Sequence, residues 1–89
     1  MKVVWRARAQ AELAAIVERI SRDDASAAIR LRDQVLHSVS FLADWPEMGR
    51  RGKRNLRELV IAHTAYLVLY RVTPGKVTIV RVLHGMRRR

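Results

Sequence analysis

The stretch Tyr66-Leu67-Val68-Leu69-Tyr70-Arg71-Val72-Thr73-Pro74-Gly75-Lys76-Val77-Thr78-Ile79-Val80-Arg81-Val82-Leu83 reads as two strands around one tight turn. Aromatic, aliphatic and β-branched residues fill 66–72 and 77–83, the composition that suits a pleated, half-buried surface. Pro74 and Gly75 occupy the two central positions of the turn, where a fixed φ and a permissive backbone are needed. Tyr66 and Tyr70 share one strand face and are expected to pack against helices.

Outward from this hairpin, Leu56 to Ile61 reads as a preceding strand, which makes residues 56–83 an antiparallel meander. Before it, residues 46–55 form a loop holding Gly49, Gly52 and four cations, Arg50, Arg51, Lys53 and Arg54. Pro46 ends a helix, because proline disfavours helical geometry in the residue before it. That helix spans about Ala25 to Asp44, with Ala28, Leu31, Val35, Val39 and Leu42 on one face and Leu36 and Ala43 widening it. Arg30, Arg32 and Asp33 fall off the stripe. Asp23 or Asp24 is placed to cap its first turn. An earlier helix, about Ala7 to Ser21, carries Leu13, Ile16, Val17 and Ile20 at helical spacing. The short break between the two favours a helical hairpin over 7–44. Lys2-Val3-Val4-Trp5 is a first strand, pairing at an edge or at the centre.

The order β-α-α-β-β-β gives an α+β class, with an N-terminal helical hairpin packed on a small antiparallel sheet. A chain of 89 residues makes one domain, 1–89. Cysteine is absent, which removes disulfides and thiolate metal sites. Three scattered histidines give no metal-ligand spacing, so neither a metal nor a cofactor is expected. No apolar run approaches the ~18 residues of a membrane span. A soluble, cytoplasmic protein is the expectation.

Charge is divided unevenly. Residues 1–49 hold seven Lys/Arg and seven Asp/Glu, whereas residues 50–89 hold eleven Lys/Arg and one acid, Glu58. The whole net charge of +10 therefore lies in the second half. Such segregation points to a cationic face and an anionic partner. The basic residues continue into a tail, 84–89, that contains Arg87 and Arg88.

Trp5 followed by Ala9 and Glu12-Leu13, then Pro46-Glu47-Met48-Gly49-Arg50, Arg57-Glu58-Leu59, Tyr66 to Val72 and Val80-Arg81-Val82-Leu83-His84-Gly85 occur in an order that resembles the RelE/ParE toxin superfamily, most closely its ParE branch. The resemblance covers nearly the whole chain. It implies the toxin of a type II toxin–antitoxin system, held inactive by a cognate acidic antitoxin of ParD or RelB type. A ParE-like toxin implies inhibition of DNA gyrase, growth inhibition and plasmid stabilisation. A RelE-like toxin implies ribosome-dependent cleavage of mRNA. A non-toxic nucleic-acid-binding module is a third reading.

RNA cleavage by internal attack requires proton removal from the 2′-hydroxyl, stabilisation of a phosphorane and protonation of the leaving oxygen. Arg57 and Arg81 suit phosphate, His84 suits proton transfer, and Glu47 is a candidate base. RelE-like nucleases carry a basic residue just after the first aromatic of the Tyr66–Tyr70 strand, and here that position is Leu67. The tail offers no tyrosine or lysine. The missing acid–base groups favour a toxin that binds without cutting. Its expected target-binding surface comprises Arg50, Arg51, Lys53, Arg54, Arg57, Arg81, His84, Arg87 and Arg88. Trp5 and Trp45 are read as core or hairpin-closing residues rather than base-stacking platforms, His37 as a surface residue, and Glu58 as a partner for a neighbouring arginine.

Overall fold

A computed structural model describes residues 1–87. The elements are β1 (Lys2–Trp5), α1 (Ala7–Ser21), α2 (Ala25–Ser40), a 3₁₀ turn (Phe41–Ala43), β2 (Arg50–Arg51), β3 (Arg57–Val60), β4 (Tyr66–Thr73), β5 (Lys76–His84) and a final 3₁₀ turn (Gly85–Arg87). The α+β class and the helical hairpin stand as expected. Asp24 caps α2, its carboxylate accepting from the Ala27 amide at 3.0 Å.

The five strands form one sheet in the order β1-β5-β4-β3-β2. β2 through β5 are antiparallel neighbours, but β1 runs parallel to β5, so the sheet is mixed rather than purely antiparallel. The cause lies in connectivity. β3 already occupies the far side of β4, which leaves the β5 edge for β1. Running parallel, β1 delivers the chain to the half of β5 that it does not itself pair.

Other boundaries shift for local reasons. The second helix stops at Ser40 and its last turn tightens to 3₁₀ geometry before Pro46. The loop 46–55 contains a two-residue strand, Arg50–Arg51, paired with Glu58 and Arg57. β5 extends through His84, so the tail begins inside the sheet and continues as a 3₁₀ turn. Arg88 lies outside the described residues.

The core is a two-layer contact between the helices and one sheet face. Ala9, Leu13 and Ile16 of α1 and Leu31, Val35 and Val39 of α2 meet Leu59, Ile61, Val68, Tyr70, Val77, Ile79 and Val82. Trp5 packs against this cluster. Trp45 does not. It is 61% exposed and tilts its ring toward Phe41, whose ring meets His37 edge-on, so the core or hairpin-closing role read from its size is wrong. The helix has already tightened at Ala43, and Leu42 turns inward in its place.

Tyr70 fixes the segment after Pro46. Its fully buried ring sends a hydroxyl that donates to the Pro46 carbonyl and accepts from the Gly49 amide, both at 2.8 Å. Burial pushes its pKa up, which the Gly49 amide and the Arg57 charge only partly offset. A Cβ at Gly49 would lie 2.7 Å from the Tyr70 ring and hydroxyl and 2.8 Å from the Glu58 carbonyl. Overpacking of that kind costs about 1–3 kcal/mol. Gly49→Ala is therefore expected to lower the urea midpoint at unchanged slope. An unaltered midpoint would show that the Tyr70 clasp yields freely.

Candidate functional site

The site residues distribute over three places. The first is a trough of about 880 Å³ lined by Arg8, Arg50, Arg51, Gly52, Lys53, Arg54, Leu56, Glu58, Leu69, Val80 and Arg81. It gathers four loop cations with one from β5 and adds Arg8, which the sequence did not single out. The loop is shaped by the Gly52 amide donating to the Leu56 carbonyl at 2.8 Å, and by left-handed backbone at Arg54 (φ 59) and Asn55 (φ 61). Glu58 is bonded by Arg50 through Nε (3.2 Å) and Nη2 (3.1 Å), the pairing expected of the second half's only acid. Exposed ion pairs of this kind contribute roughly 0–1 kcal/mol.

Arg57 stands elsewhere. It pairs across the sheet with Tyr70 on the helix-facing side, and its Nη1 donates to the Gly49 carbonyl at 2.8 Å and to the Glu47 carbonyl at 3.4 Å. It clasps the same segment that Tyr70 holds. The Glu47 side chain is exposed beyond this clasp.

The third place is a cavity of about 380 Å³ on the seam between α1 and the end of β5, lined by Glu12, Ala15, Ile16, Arg19, Tyr66, Arg81, Val82, Leu83 and His84. His84 meets the Tyr66 ring edge-on at 5.4 Å, and its Nδ1 accepts from the Met86 amide at 3.2 Å. His84 pairs with Tyr66, whereas Arg57 pairs with Tyr70, four residues along β4 and about 13 Å away at strand rise. Arg57, Arg81 and His84 thus do not converge on one point.

Arg81 joins the trough to the seam and is held by Glu12. The β4–β5 register jumps from Leu69↔Arg81 to Tyr70↔Ile79, leaving Val80 without a partner on β4. At this bulge the Glu12 carboxylate accepts from Arg81 Nε at 2.7 Å and from the Val82 amide at 3.0 Å, and ion-pairs with Arg81 Nη2 at 2.7 Å and with Arg8 Nε at 3.8 Å. Burial works against the charge of Glu12. The Arg81 hydrogen bond, the Val82 amide and the charges of Arg81 and Arg8 outweigh it and hold the carboxyl below its ordinary value.

Against known proteins, the family model described as "ParE toxin of type II toxin-antitoxin system, parDE" matches residues 3–89. The chain belongs to the ParE toxin family. Toxin RelE2 of Caulobacter vibrioides is 40% identical over 86 residues, spanning 97% of each chain. Toxin RelE3 of the same organism is 41% identical over 66 residues, 72% of each. A solved structure described as the chromosomal ParDE toxin–antitoxin system from P. aeruginosa shares the fold. Its TM-score is 0.84 at 20% identity, covering 94% of this chain and 95% of that one. The protein is thus a type II toxin–antitoxin toxin of the ParE/RelE superfamily. Among the described residues no helix is long and apolar enough to cross a membrane.

A carboxylate with a depressed folded pKa stabilises the native state above its unfolded pKa, about 4.3 for Glu, and loses that contribution as pH falls through the folded value. Glu12→Gln is expected to be less stable than the parent chain at pH 7 and to approach it at pH 3. Urea unfolding at both pH values measures the gap, and a gap equal at the two would refute the Glu12 assignment.

Proposed function

We propose that this toxin arrests growth by binding DNA gyrase, without an enzymatic step of its own, and that a cognate acidic antitoxin neutralises it. The carrying observation is the trough, in which Arg8, Arg50, Arg51, Lys53, Arg54 and Arg81 surround a cleft whose lining includes one carboxylate, Glu58. Such a surface attracts phosphate-bearing or acidic partners and speeds their encounter. It suits an enzyme that works on DNA, and the match to a ParE family model agrees with that target. The same field would steer an acidic antitoxin, whose occupancy of the trough would mask it. Action on gyrase places the protein in the bacterial cytoplasm. Arg87 and Arg88 are counted among the target-binding residues in this reading.

A non-cutting mechanism accords with where the candidate groups sit. Arg57 is engaged by two backbone carbonyls, and His84 stands on the seam rather than beside Arg57. Leu67, at the position where RelE-like nucleases are basic, is buried. The relatives named RelE2 and RelE3 favour a second reading, ribosome-dependent mRNA cleavage, in which Arg81 and His84 would serve. That reading predicts translation-coupled cuts lost in His84→Gln and Arg81→Ala.

In a supercoiling assay the purified chain is expected to inhibit gyrase. Replacing the exposed Arg51 and Lys53 by glutamate should weaken inhibition at least about tenfold and reduce its salt dependence. Growth arrest with no effect on gyrase would overturn the proposal.

A further inference from the structure

The seam cavity has a chemistry distinct from that of the trough. Its polar lining side chains are hydrogen-bond donors with one exception, and Ala15, Ile16, Val82 and Leu83 complete the wall. Arg19 Nη2 donates to the Tyr66 hydroxyl at 2.9 Å, which leaves the hydroxyl proton of Tyr66 and the Nε and Nη1 protons of Arg19 without protein acceptors among the described residues. His84 Nδ1 is occupied by the Met86 amide, so the neutral imidazole carries its proton on Nε2. Arg81 uses Nε and Nη2 on Glu12 and keeps Nη1. The exception, Glu12, is already neutralised by Arg81 and the Val82 amide.

We propose that this seam is an oxyanion site for a phosphate group, gripped by Arg19, Tyr66, Arg81 and His84. It goes beyond the gyrase reading and does not depend on it. The donors come from α1, from the start of β4 and from the end of β5, and so surround the cavity from several sides. That arrangement matches a tetrahedral dianion better than a planar carboxylate. Arg19 supplies the net positive charge and a forked guanidinium, and Nη1 of Arg81, whose own charge is matched by Glu12, adds a donor. The cavity, about 380 Å³, admits a phosphate and part of the group that bears it. A free phosphate monoester and the terminal phosphate of a nucleic-acid strand offer the same chemistry.

The test is a titration of the full chain with inorganic phosphate, followed by amide NMR at constant ionic strength set with chloride. Saturable shifts confined to residues 12–19, 66 and 81–84 are expected. Arg19→Gln and Tyr66→Phe should each weaken binding by about tenfold, the range for one charge-assisted hydrogen bond. Both positions are at least partly exposed, and unchanged amide shifts in the core would certify the fold. Arg51→Gln should leave the affinity intact. A mononucleotide binding more tightly than inorganic phosphate would support the site and identify a free ester as its ligand. A 5′-phosphorylated tetranucleotide exceeding its unphosphorylated form would support it and identify a strand end. Linear, unsaturated shifts, shifts centred on residues 50–54, or binding of a glutamate-rich peptide at residues 66 and 81–84 more tightly than phosphate would overturn the proposal. No gyrase enters the measurement, so its failure is separate from failure of the gyrase reading.

Discussion

β5 outlasts its neighbour. β1 pairs it only from Lys76 to Ile79, and beyond that point β5 carries both an extra residue, Val80, and a free edge. An open edge is a template for unwanted pairing, and proteins cover it. Here the cover is α1, which enters as soon as β1 ends, with the Arg6 amide bonded to the Ile79 carbonyl at 3.0 Å. Glu12 completes the seal by accepting the Val82 amide in place of a strand carbonyl. The same carboxylate aligns Arg81, so one acidic side chain closes the edge, anchors the helix and orients the cation shared by two cavities. Removing it would leave a partly buried arginine and a backbone amide without partners, a loss larger than one exposed ion pair.

A second constraint acts on the β3 side of β4, at Tyr70. Tyr70 and Arg57 together hold the chain from Pro46 to Gly49 by its backbone polar groups. This converts a connection with little regular structure into a fixed platform. The cationic loop springs from it through the short β2–β3 pairing. Arg57 thus positions the base of the trough.

The helices and the three-strand meander were legible because burial imposes a period that the residues display, as with Leu13 and Ile16 or Val35 and Val39. Trp45 was misread because size alone favours burial, while Leu42, three residues earlier, had already filled the inward position. The parallel pairing of β1 depends on which sheet edge is vacant, a global property invisible in four residues. Arg57 was legible as a strand residue, but its facing depends on register. Glu12 was not singled out as a site residue, because its partners lie 69 and 70 positions away. A signal existed nonetheless. Glu12 sits three residues after Ala9 and four before Ile16, both buried, so it is an acid inside an apolar stripe. An acid in that place needs a partner across the interface.

The placement of Arg81 gives the two cavities a physical connection. Its guanidinium lines both, and Glu12 restrains it at the bulge. An anion that draws Arg81 toward the trough must do so against the Glu12 contacts, and an anion in the seam works against the same restraint from the other side. Were both cavities to take anions, occupancy of one would therefore alter the affinity of the other. Linkage makes that effect reciprocal, equal in size whichever ligand binds first. The second half of the chain carries the charge, but the neutral first half decides where that charge points, through one glutamate on α1.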